Sequence, residues 1–107
     1  MARALRASLE ECRRAEPAHY RPLDGRLHLA LVELAGSPSL SIAAADVRMR
    51  VNGLLDRIPL LPRNIAHSDE QHVRLVEAVL AGRPPAARQA MQEHLAASAA
   101  LLRGFLG

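Results

Sequence analysis

Asp24-Gly25-Arg26-Leu27-His28 is the stretch around which the chain is arranged. Read as a helix, it sets Asp24 and His28 one turn apart on one face. That face continues through Leu31 and Ala35, with Leu27 and Leu34 alongside, so it points inward. A carboxylate and an imidazole on the buried side of a helix need partners, because an unpaired polar group there costs about 2 kcal/mol or more. His72 and His94 stand in similar apolar stripes far along the chain. One reading joins all four around a single metal ion. The other makes each a separately satisfied core or boundary residue.

Composition bounds the rest. A chain of 107 residues is expected to form one domain with a modest core. Half of it is apolar, yet Tyr20 and Phe105 are its only aromatic residues. Ala and Leu dominate, which favours closely approaching helices over a sheet. The basic residues are all Arg, which with the Ala content suggests a GC-rich bacterial genome. The net charge of +3 is carried by scattered Arg residues. No basic run, aromatic-interleaved strand or helix-turn-helix pattern points to direct contact with DNA. The single Cys12 cannot form an internal disulfide, and its spacing from Leu5 and Leu9 makes it a small core residue of a cytosolic protein. No signal peptide is visible, and no apolar run approaches the ~20 residues that span a bilayer. The expected location is the cytoplasm, with no membrane contact.

The chain reads as five helices. The first runs from Ala2 to Glu16 and is ended by Pro17; His19 and Tyr20 lie in the connection. The second starts near Pro22 or Leu23 and ends at Ala35, where Gly36-Ser37-Pro38 gives a stop followed by a start. The third spans Ser39 to Ile58, with Leu40, Ala43, Val47, Val51, Leu54, Leu55 and Ile58 as its apolar stripe. Pro59 to Pro62 ends it, and residues from Arg63 to Ser68 form a loop that holds His67. Ser68 then caps the fourth helix, with Gln71 at the capping-box position, and that helix continues to Ala81. The fifth starts at Pro84-Pro85 and turns Ala87, Met91, His94, Leu95, Ser98, Leu101 and Leu102 inward.

The short connection makes the last two helices an antiparallel hairpin. His72 and His94 are equidistant in sequence from Arg83 at the turn, 11 residues on either side. At ~1.5 Å per residue each lies about 16 Å along its helix, so they share a level, and both fall on the apolar face. Three imidazoles and a carboxylate suit Zn, Ni, Mn, Co or Fe(II).

These residues carry a resemblance. Asp24-x3-His28, Leu34-Ala35-Gly36-Ser37-Pro38, Glu70-Gln71-His72, Ala78-x3-Gly82 and Ala87-x3-Met91-x2-His94-Leu95, in this order, resemble the FCD domain. That domain is the all-helical effector-binding part of the FadR branch of GntR-family transcription regulators. The resemblance covers about Leu5 to Leu102 and implies an all-α antiparallel helical bundle with a metal site in its interior. It implies that Asp24, His28, His72 and His94 hold a divalent ion (Zn, Ni or Mn), which in turn helps hold a small carboxylate effector. Ser37 stands where the family often has Asn, and Arg83 where an Asp usually follows the glycine. The family's winged helix-turn-helix and first FCD helix precede the matching segment, so DNA is reached only through a domain missing from these 107 residues. A homodimer is expected.

An effector carboxylate needs a cation. Equal counts from the turn at Ser37 put Arg50 of the third helix level with Asp24, and Arg48 is the second choice. Two other functional classes remain. A metal-dependent hydrolytic enzyme could use such a site to activate water. However, no His-Asp dipeptide, Glu-x-x-His or His-Glu-x-x-His motif supports it, and the expectation is no enzyme. A helical interaction module without ligand is the third class.

Overall fold

The computed structural model describes residues 2–107, all of them in helices or short connections, with no strand among the described residues. The fold is all-α. Five helices follow one another: α1 (Ala2–Arg14), α2 (Pro17–Glu33), α3 (Pro38–Leu55), α4 (Pro62–Leu80) and α5 (Pro84–Leu106). They form two compact units, Met1–Arg57 and Ile58–Gly107.

In the first unit α2 packs against both α1 and α3. Leu5, Leu9 and Cys12 of α1 repeat at helical spacing and are buried, as is Leu27 of α2. Each fully buried leucine contributes about 1.5–3 kcal/mol relative to exposure. Cys12 is the small core residue its spacing predicted. Pro17 does not merely end α1. It occupies the first turn of α2, behind the extended residue Glu16, where the missing N–H costs nothing. The second helix therefore starts earlier than expected and takes in His19, the buried Tyr20 and an internal Pro22.

The connection from α2 to α3 is as the sequence predicts. Gly36 adopts a φ of +67°, a conformation that glycine takes without steric cost. Ser37 Oγ accepts a hydrogen bond from the Leu40 N–H at 3.2 Å, a cap worth about 1 kcal/mol, and Pro38 opens the helix. The inward face of α3 differs from expectation. Leu40, Val47 and Leu54 are exposed, together with Ile42 and Met49. Val51, Leu55 and Ile58 of the expected stripe are half-buried or buried, but Ala44, Ala45, Arg48 and Asn52 fill the rest of the less exposed row. Apolar periodicity misplaces the N-terminal part of the face because a paired arginine and asparagine occupy it.

The second unit is the expected antiparallel hairpin of α4 and α5. Its turn is a Schellman closure: Arg83 N–H donates to the Ala78 carbonyl at 3.0 Å and Gly82 N–H to that of Val79 at 3.1 Å, with Gly82 at φ +68°. The start of α4 is corrected. Pro62 is an initiator rather than a terminator, and the residues expected as a loop are helical. Ser68 is not a cap, and Gln71 is an interior residue of α4, buried beside His72. Leu75 and Val76 continue that buried face. In α5 the row Ala87, Met91, His94 and Leu101 is the less exposed one, whereas Leu95, one residue or about 100° beyond His94, is 57% exposed.

Candidate metal centre

Each unit carries one pair of candidate ligands. In the first, Asp24 and His28 project from adjacent turns of α2, and His28 Nε2 lies 3.3 Å from Asp24 Oδ1. Two ligands at about 2.1 Å from one ion, with an angle between 90° and 109°, are themselves about 3.0–3.4 Å apart. The separation of this pair is compatible with both atoms on one ion, as it is with a direct imidazole–carboxylate contact. The other carboxylate oxygen is held from α3: Arg48 Nη2 is 2.5 Å from Asp24 Oδ2, and Arg48 Nε donates to Asn52 Oδ1 at 3.0 Å. Arg48 therefore engages Oδ2, and Oδ1 is the oxygen turned to His28. Gly25 faces α3 at this point: a Cβ on it would meet Asn52 Nδ2 at 3.5 Å and Arg48 Nε at 3.8 Å, ordinary van der Waals contact, so the approach of α3 does not require a glycine here. The Cys12 thiol lies within 4.8 Å of an Asp24 carboxylate oxygen, so a residue read only as packing borders this pair.

In the second unit, His72 and His94 are 0% and 5% exposed. Their rings are 4.8 Å apart at 68°, an edge-on arrangement. The equal spacing from the turn had predicted a shared level, and the rings meet. A buried pair of imidazoles has the donor chemistry to hold a metal ion. His94 is tied to α4 through Gln71, whose Oε1 is 2.6 Å from His94 Nδ1. Gln71 Nε2 lies in turn 3.2 Å from Nε2 of the exposed His67. Asp69 approaches His72 Nδ1 no closer than 3.9 Å.

Arg50, the first-choice effector residue, is elsewhere. Its side chain is 78% exposed and pairs with Asp46 at 3.2 Å, whereas that of Arg48 is 14% exposed. Counting from a turn fixes level but not azimuth. Two residues along a helix are only ~3 Å of rise but ~200° of rotation. Gln71 was missed for a related reason, since its apparent place in a capping box explained it.

Residues 1–97 match the family described as FCD domain. The chain belongs to the FCD domain family. An FCD domain is the effector-binding domain of transcription regulators, a regulatory rather than a catalytic module. The match spans Asp24, His28, His72 and His94 together. Comparison with curated proteins and with solved structures returns no match. Among the described residues of this FCD domain, no helix is long and apolar enough to cross a membrane.

Proposed function

We propose that this FCD domain is the metal-dependent, small-carboxylate-sensing part of a bacterial, cytoplasmic GntR-family regulator. In this reading Asp24, His28, His72 and His94 hold one divalent ion, Zn, Ni or Mn. The observation that carries it is the His72–His94 pair: two imidazoles set ring to ring in the interior of a helical hairpin. The Asp24–His28 edge of 3.3 Å supplies the remaining two donors. DNA would be reached only through a separate winged helix-turn-helix domain, and the regulator would act as a homodimer.

The bound ion would supply coordination positions for the oxygens of a hydroxy- or keto-carboxylate. The chain's own residues do the rest. Arg48 spends Nε on Asn52 and Nη2 on Asp24, so the Nη1 donors remain for an anionic oxygen. Asp24 in turn fixes the guanidinium in place, so little rotamer freedom is lost when an acid binds. A half-buried guanidinium also disfavours neutral analogues, which would leave its donors unmatched.

The test is calorimetry of metal-loaded and metal-free protein against lactate, pyruvate, citrate, malate and sugar acids. At least one acid is expected to bind only when metal is present. Equal binding of every acid to both forms would reject the reading.

A further inference from the structure

Gln71 lies one residue before His72 and one turn after His67, and its amide is strung between two imidazoles. The two ends of an amide are chemically distinct: the carbonyl only accepts and the NH2 only donates. With Oε1 at 2.6 Å from His94 Nδ1, that nitrogen must carry a hydrogen. With Nε2 at 3.2 Å from His67 Nε2, that nitrogen must present a lone pair. A neutral imidazole protonated on Nδ1 carries its lone pair on Nε2. We infer that Gln71, braced by His67, is the positioning residue of His94: it locks the Nδ1–H tautomer and so makes Nε2 the nitrogen that His94 offers to a metal.

The inference rests on the proposed ligation for its metal consequence but not for its tautomer. Gln71 is 9% exposed and His94 5%, so water competes weakly for either group. The Gln71 carbonyl that accepts from His94 Nδ1 is uncharged. It orients the ring as a carboxylate would, yet raises the basicity of Nε2 less. The site is thereby set for weaker, exchangeable metal binding than a carboxylate-backed histidine would give. His67 is the outer brace. Without it the amide could rotate, present NH2 to His94 Nδ1 and push the hydrogen onto Nε2, the form that cannot ligate through Nε2.

The tautomer can be read directly. Two-bond proton–nitrogen correlation spectra of histidine-labelled, metal-free protein at pH 8 should show His94 with its hydrogen on Nδ1. They should show a mixed or inverted pattern in Gln71→Leu and a partial change in His67→Ala. An Nε2–H tautomer in the unaltered protein overturns the inference. Zinc titration then reads the consequence: about 10–100-fold weaker binding in Gln71→Leu and tighter binding in Gln71→Glu. The melting temperature of each metal-free variant reports its fold, and Gln71→Met replaces Gln71→Leu if the latter does not fold. Unchanged zinc affinity in a folded variant would overturn the positioning role. A protein that takes up no zinc while His94 keeps the Nδ1–H tautomer would instead remove the ligation reading and with it the metal consequence, leaving the tautomer lock established.

Discussion

Replacing His94 by alanine should abolish stoichiometric metal binding, and His72→Ala should do the same. Each removes one of two imidazoles packed at 4.8 Å. A ligand that binds only the folded state stabilises it by about 2.7 kcal/mol at a hundredfold excess over its Kd. For a domain of this size that is a rise of about 10–20 °C in melting temperature. The rise is expected in the unaltered protein and not in either variant. Both variants should also start lower, since a buried ring is lost and a cavity is left. The diagnostic quantity is therefore the metal-induced increment in each protein, measured by thermal melts with and without zinc. A full increment in His94→Ala would end the four-ligand model. Proton competition gives the sign with pH. Imidazoles bind metal only when neutral, so the increment should shrink as the solution is made more acidic.

The second large effect separates two arginines only two residues apart. Arg48→Ala should weaken binding of the effector acid by about 10–150-fold, the loss of a charge-assisted contact worth about 1.5–3 kcal/mol. Arg50→Ala, on an exposed face and paired only with Asp46, should leave it unchanged. Loss of Arg48 also strips Asp24 of its ion pair, which could mimic an effector defect through the metal. The two causes have opposite signs. Removing a cation beside a ligand carboxylate favours a dication there, so metal affinity should hold or rise while acid affinity falls. Calorimetry with metal first and acid second reads both. A parallel loss of metal would assign Arg48 to the metal site alone.

Much of this was legible in the residues. The i, i+4, i+7 set Leu5, Leu9 and Cys12 and the hairpin level of His72 and His94 follow from helical geometry alone. So does the Gly36-Ser37-Pro38 junction. What failed did so for definable reasons. A proline ends one helix and starts the next with equal ease, so Pro17 and Pro62 were each read as stops when both occupy first turns. Ser68-Asp69-Glu70-Gln71 imitates a capping box inside a continuous helix, and that imitation hid the bond from Gln71 to His94. The inward face of α3 escaped because pattern reading seeks apolar rows, and here Arg48 and Asn52 are held inward by each other and by Asp24.

The central claim is that one ion is shared by Asp24, His28, His72 and His94. The most direct measurement is the metal content of the purified, metal-free protein after exposure to zinc, nickel or manganese and removal of excess. The account predicts one equivalent per chain for the unaltered protein and none for His28→Ala, His72→Ala or His94→Ala. No bound metal in the unaltered protein, or one retained equivalent in any of the three folded variants, would contradict it.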